Sequence, residues 1–334
     1  MGTFVTQQDL EWLERELFGG PGRGGRPPRP DAHGAHEGSP YRPRPSAREA
    51  RGAAPLHPVV IGGGLIGIEV VEVLLGAGHR PRFFVREDWF WPMALDPREA
   101  RWIAERLREH GADVRLGEEV LAIDGVGVVS GVRTAEGAVP CDLCVVAIGV
   151  APNTEWLRGS GVELDEQGGV IVDAGMRTSA EDVFAAGDCA SVRWRDGSRR
   201  PEPLWYAARD QGRAAGRALC GETVSYAGGP RYNSAKLMDV EHTTAGVTVA
   251  SGEQRTFFFE ERGRVRSTTR VVCEGERVVG FTMLGRRWDH SVLLRWIDEG
   301  RSLAFVLDHL EEARFDTELV PPLVIERRAL EGAS

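Results

Sequence analysis

Apolar and polar positions alternate with different rhythms along this chain, and each change of rhythm predicts a different kind of element. Over residues 4–18, FVTQQDLEWLERELF, Phe4, Leu10, Trp12, Leu13 and Leu17 recur at roughly helical spacing among acids, which predicts a short amphipathic helix within 1–18. A helix of that length does not hold together alone. From Gly19 to Pro55 the apolar positions nearly vanish into a run dense in Gly, Pro and Arg. Such a composition cannot offset its ordering entropy by burial, so a disordered linker is predicted over 19–56.

Order is expected from His57. A β-branched strand at 58–62, a helix at 65–77, a strand at 81–86, a helix at 97–110 and a short strand at 112–116 alternate as a doubly wound α/β unit requires. VLAID, GVGVVSGVRT and CDLCVVAIG then read as three short strands of a meander. GGVIVD and DVFAAGD predict two more strands, followed by a long helix over 203–220. Beyond Gly229 the rhythm becomes that of a β-meander, with strands near 242–248, 254–260, 265–274 and 277–284 and closing helices near 288–298 and 302–312. No internal repeat is visible.

Composition narrows the function classes. The 334 residues leave room for two or three domains, and a formal charge of −9 argues against nucleic acid as a partner, because a phosphate-backbone binder needs a basic face. Of the 41 basic residues only Lys236 is a lysine. A GC-rich genome accounts for that bias; the sharper reading is that a compact ammonium is needed at Lys236. Five cysteines, an odd number, give no secreted disulfide framework. The Met1 end has no basic-then-apolar leader and the apolar runs are interrupted, so the expectation is a cytoplasmic protein without a membrane partner.

The stretch VVIGGGLIGIEV holds Gly62, Gly64 and Gly67 in G-x-G-x-x-G spacing between a strand and a helix. There Gly62 permits a tight turn, Gly64 lets the backbone approach a pyrophosphate, Gly67 lets helix and strand pack, and the helix N-terminus through Leu65 and Ile66 attracts the anion. The acid that reads a ribose is expected about twenty residues on. The sequence there is FFVRED: Val85 takes the usual acidic slot, Glu87 and Asp88 are late candidates, and Arg86 suits a 2′-phosphate, so NADH and NADPH both stay open. Glu69, in the first turn of the helix, competes with a pyrophosphate for the same positive end and asks for another partner. Cys141 and Cys144 form C-x-x-C, but in a strand their side chains would face opposite sides, which speaks against a redox pair. The histidines show no metal-ligand spacing.

GGGLIGIE, VAIGVAPNTEWL and MRTSAEDVFAAGDCA, in that order and spacing, resemble the pyridine nucleotide-disulfide oxidoreductase superfamily, in particular its rubredoxin reductase-like and NADH oxidase-like branches, over roughly residues 57–330. YNSAKLMDVEHTTAG and GRRWDH add to the resemblance. It implies that the I-G-x-E loop with Glu69 binds NAD(P)H and that Gly149 and Pro152 close over the nicotinamide. It further implies that Gly187 and Asp188, of the A-G-D motif, hold the FAD ribityl chain. The 203–220 helix would point its N-terminus at the flavin pyrimidine edge, with Trp205 and Tyr206 as ring neighbours.

The implied fold is α/β. It comprises a Rossmann-like three-layer NAD(P)-binding domain with a β-meander crossover over 57–176, the C-terminal part of an FAD-binding domain over 177–229, and a smaller α+β interface or dimerisation domain over 230–330. Members of the superfamily open with another Rossmann half carrying its own fingerprint for the ADP part of FAD. Residues 1–56 hold no such fingerprint, and GGPGRGG at 19–25 lacks the flanking strand and helix. The implied function is a flavin-linked oxidoreductase that passes hydride from NAD(P)H to FAD and on to a small-molecule or small redox-protein acceptor. The rival is an NAD(P)-binding pseudoenzyme or partner subunit, or a truncated gene product. A homodimer, or a second chain supplying the FAD half, is the expected partner.

Overall fold

Strand β1 (Pro58–Ile61) runs straight into the glycine loop and helix α1 (Leu65–Gly76), so the first ordered residues of the computed structural model already form a β–loop–α unit. The structure describes residues 56–194, 197–261 and 266–315 and the backbone of 330–331. The helix expected in 1–18 and the linker expected over 19–56, except its last residue, lie outside the described residues. The chain divides into two compact units, residues 1–149 and 150–334.

In the first unit, β2 (Arg82–Val85), helix α2 (Pro97–Glu109), β3 (Asp113–Leu116) and β7 (Leu143–Val146) complete a four-stranded sheet of order β3-β2-β1-β7, with every pair parallel. Strand order reverses at β1, so the carboxyl ends of β1 and β7 form the switch point where open α/β sheets take ligands. Strands buried on both faces need apolar side chains in both directions, and RFFV supplies them: Phe83, Phe84 and Val85 are all buried. Helix α2 starts on a capping box. The Asp96 carboxylate accepts from the Arg98 and Glu99 amides, each at 2.9 Å, while the Asp96 amide donates back to Glu99 at 2.9 Å.

Between β3 and β7 lies an antiparallel meander of β4 (Val120–Val126), β5 (Val128–Thr134) and β6 (Gly137–Pro140). Its Val132 packs with Val59 and Phe84 of the parallel sheet and with Cys141, closing one face of the unit. The three-stranded crossover is therefore present, but its third strand is GAVP. CDLCVVAIG instead provides β7, a half-buried edge strand whose apolar run pairs in parallel beside β1.

In the second unit, β8 (Val170–Ile171), β9 (Ala190–Arg193) and β10 (Arg199–Arg200) form a small mixed sheet next to helix α3 (Trp205–Leu219). Val170, Val172, Met176, Ala190, Val192 and Trp194 pack with Ala214 and Ala215 of α3. GGVIVD supplies β8 as expected. DVFAAGD does not form a strand: only an isolated bridge, Arg177 to Phe184, survives there, and the strand beside β8 is ASVR instead.

A larger sheet follows, of order β11-β12-β15-β14-β13-β16: β11 (Tyr232–Leu237), β12 (Val240–Gly246), β13 (Arg255–Glu261), β14 (Ser267–Glu274), β15 (Arg277–Leu284) and β16 (Leu330–Glu331). Helices α4 (His290–Asp298) and α5 (Leu303–His309) cover one face through Leu293, Trp296 and Val306, packed on Phe281, Met283 and Val271. The four expected strands are present. Strand β11 was not foreseen because YNSAKL has little apolar alternation; its tight turn through Met238, at φ 60°, starts β12 two residues early.

Candidate nucleotide site

The glycine loop is fixed by contact. Gly62 takes φ +118°, and a Cβ there would stand 2.2 Å from the carbonyl oxygen of Ala147, just beyond β7. At Gly67 a Cβ would lie 2.1 Å from the Gly62 carbonyl oxygen and 3.1 Å from the Phe83 ring. Only glycine fits either place. Gly64 is different: nothing lies within 4 Å of a Cβ built there. Gly62 and Gly67 thus knit β1, β7 and α1 together, while Gly64 leaves its approach open.

Gly64 is also the N-cap of α1, with no side-chain cap and no acid in the first turn. The first amides of a helix have no partner within it, and here Leu65, Ile66 and Gly67 follow an uncapped start, so the donors and the positive helix end remain for an anion. Glu69 lies beyond that turn. Its residue is exposed, while the protein packed along one side raises its carboxyl above the ordinary value. Gly149, two residues past Ala147, takes φ +129° with open space around it.

The end of β2 is tied to this loop. The Gly62 amide donates to Phe84 O at 3.0 Å, a Cβ at Gly63 would meet Val85 Cγ1 at 2.5 Å, and the Trp91 amide donates to Gly63 O at 2.7 Å. Arg86 and Glu87 therefore follow directly on the strand that flanks the glycine loop, and they pair with each other at 2.9 Å on the surface. The sequence did not single out Gly63 or Trp91. Gly63 was hidden among three consecutive glycines, and no local signal marks a tryptophan at φ 49° whose backbone closes the loop.

In the second unit, Pro152 precedes Thr154, a buried residue whose hydroxyl donates to Gly168 O. Gly187 takes φ +85°, and its amide donates to the buried Gln211 side chain of α3 at 2.8 Å. Gln211 was missed because its role is to anchor a loop 24 residues upstream. Asp188 follows as an exposed carboxylate. Helix α3 begins without a side-chain cap or first-turn acid, and Trp205, its first residue, is 67% exposed with Arg209 over its ring at 5.4 Å. Lys236 is exposed on β11, opposite Glu241 of β12.

Cys141 precedes β7 rather than lying in it, so the opposite-face argument does not apply; Cys141 and Cys144 pack into the same cluster with Val59 and Phe84. The thiols are free, and burial pushes Cys144 up to about 11 and raises Cys141 as well. Thiolate character, which redox pairs require, is suppressed at both.

A parallel sheet with a glycine-lined switch point, an uncapped helix start and a crossover meander defines a dinucleotide-binding α/β protein. The chain belongs to the pyridine nucleotide-disulphide oxidoreductase family, whose profile matches residues 22–212. It is 34% identical over 191 residues to an NAD(P)H sulfur oxidoreductase (CoA-dependent) of Pyrococcus abyssi, covering 57% of this chain and 43% of that protein. It is 31% identical over 245 residues to an NADH oxidase of Enterococcus faecalis, covering 68% of this chain and 55% of that one. Among solved structures, it resembles an NAD-dependent persulfide reductase from A. fulgidus at 27% identity and a TM-score of 0.68, covering 80% of this chain and 52% of the other. A water-forming NADH oxidase from Lactobacillus brevis, bound to NADH, matches at 25% identity and a TM-score of 0.67, covering 82% and 64%. The chain spans about half the length of the curated relatives it matches. No helix among the described residues is long and apolar enough to cross a membrane.

Proposed function

We propose that this chain binds NAD(P)H at the Gly62–Gly67 loop and takes part in flavin-linked electron transfer. The observation that carries the reading is the contrast within the fingerprint: Gly62 and Gly67 are locked by backbone contacts, while Gly64 opens onto space at an uncapped helix start. That is the shape and polarity a pyrophosphate needs. Relatives named as NAD(P)H sulfur oxidoreductase and NADH oxidase support the same chemistry.

In this reading the α1 amides and Gly64 hold the pyrophosphate, Glu69 and Gly149 orient the nicotinamide end, and Arg86 or Glu87 meets the adenosine ribose. When bound, the nicotinamide donates hydride and FAD accepts it. Asp188 would accept from a flavin ribityl hydroxyl, with Gly187 fixed by Gln211, and the uncapped start of α3 would meet negative charge on a flavin without competition from a first-turn acid. These residues fit a flavin as polar contacts to one end of it. Pro152 and Trp205 belong to the same proposal. Residues 57–176 would act as the NAD(P) domain, 177–229 as part of the FAD domain and 230–330 as the interface of a homodimer. The setting is cytoplasmic, and a small molecule or small redox protein accepts the electrons.

The test is a visible spectrum of the purified chain together with a titration by NADH and NADPH. Flavin bands that bleach on adding reduced nucleotide are expected. A colourless protein that still binds nucleotide would favour a nucleotide-binding partner subunit, and failure to bind either nucleotide would end the proposal.

A further inference from the structure

The second unit contains a cavity of about 290 Å³ that the nucleotide and flavin contacts do not use. Glu202, Asp210, Asp298 and Arg231 line it, and Asp210 also pairs with Arg209 and Arg213 of α3. Leu204, Trp194 and Leu294 supply apolar wall. The volume lies at the small end of the range for ligand sites, and the wall mixes apolar side chains with charged and phenolic ones that converge on the space.

Glu202 is the informative residue. Its side chain is 8% exposed, and a carboxylate so placed demands a charged or hydrogen-bonding partner. Arg231 meets that demand at 3.1 Å, yet the Arg231 side chain is itself 42% exposed. The guanidinium is thus the replaceable half of the pair. Asp210 is fixed separately, accepting from Tyr232 Oη at 2.8 Å and from Arg209 Nε at 3.0 Å. Tyr226, also in the wall, has its hydroxyl raised by burial, with Asp210 and Glu202 adding to the effect, so it stays a neutral phenol beside the acids.

We propose that this cavity binds a small organic cation, an alkylguanidinium or alkylammonium, whose charged head takes the place of Arg231 on Glu202 and whose alkyl tail lies along Leu204, Trp194 and Leu294. The site works independently of nucleotide binding, so its failure would leave the reading of the glycine loop untouched.

The experiment uses the full chain at neutral pH and low salt, with n-butylguanidine as probe and n-butanol and butyrate as controls, read by calorimetry. Saturable binding of n-butylguanidine at least tenfold tighter than of butanol, and none of butyrate, is expected. Arg231→Ala should tighten n-butylguanidine several-fold, and the probe should raise the melting temperature of this variant more than that of the parent chain, as chemical rescue. Glu202→Gln should weaken binding at least tenfold. Equal binding of butanol, or an Arg231→Ala variant that the probe does not rescue, overturns the proposal. Should a variant not fold, the comparison of n-butylguanidine with butanol on the parent chain decides alone.

Discussion

Gly67 approaches Gly62 so closely that a methyl group on Gly67 would stand 2.1 Å from the Gly62 carbonyl oxygen, whereas the same methyl on Gly64 would touch nothing within 4 Å. The glycines of one motif therefore have separable roles. Gly67→Ala should destabilise the first unit by several kcal/mol, as overpacking does where neither side can yield. Gly64→Ala should cost at most about 1 kcal/mol of stability as an N-cap change, yet weaken NAD(P)H at least tenfold by blocking the approach. Urea denaturation and nucleotide fluorescence titration separate the two effects; equal loss of stability in both variants would contradict the division.

Choice between the two nucleotides should rest on Arg86 and Glu87, which pair at 2.9 Å at the end of β2. Arg86→Ala is expected to lower NADPH affinity about tenfold, the size of a lost charge-assisted hydrogen bond, and to leave NADH within about twofold. Glu87→Gln should move the ratio the other way. Unchanged affinity ratios in both variants would take Arg86 and Glu87 out of the ribose site.

Acid should weaken the second unit through His242. Burial first, then Arg270 and His290, draw its pKa down to about 3. Between the unfolded value near 6.5 and the folded value, only the unfolded chain takes up the proton, so stability is full above about pH 6.5 and falls as pH drops. From pH 7 to 5 this one group should remove about 2 kcal/mol. Urea midpoints at the two pH values, with His242→Gln as the flattened comparison, measure it.

Tyr232 gives its hydroxyl hydrogen to Asp210 at 2.8 Å and accepts from Arg209 Nη2 at 2.8 Å. Its phenol is pushed up to about 12, mainly by burial, so it remains protonated at any working pH. Tyr232→Phe should cost about 1–2 kcal/mol, since Arg209 still serves Asp210, and should leave NAD(P)H binding unchanged. Thermal melts and nucleotide titration read both outcomes.

Thiol reactivity offers a further check. Cys141 and Cys273 are buried and their thiols are raised, whereas Cys220 is exposed after α3. Native protein should react rapidly with an aromatic disulfide reagent at Cys220, with Cys141, Cys144 and Cys273 reacting only on unfolding. Fast labelling of Cys141 and Cys144 together, identified by peptide mapping, would restore the redox-pair reading.

Much of the fold in both units was legible because its forces are local. The β-branched run before GGGLIG, the D-P-R-E capping box of α2 and the alternation from β13 to β15 each state their own conformation within a few residues. Errors came where a segment's state depends on its neighbour. DVFAAGD has the composition of a strand, but ASVR takes the place beside β8. Cys141 and Cys144 fit the spacing of opposite faces, but Cys141 ends in the turn that feeds β7.

By itself the sequence determined that a glycine-fingerprint loop lies between β1 and α1, because glycine spacing and apolar rhythm are properties of adjacent residues. Tertiary structure alone decided which glycine carries which constraint. It also decided that Ala147 and Val85 close on that loop, that Gln211 fixes Gly187, and that Glu202 is buried against Arg231. Each of these depends on a contact between residues far apart in the chain, and pattern along a sequence holds no record of distance across a fold.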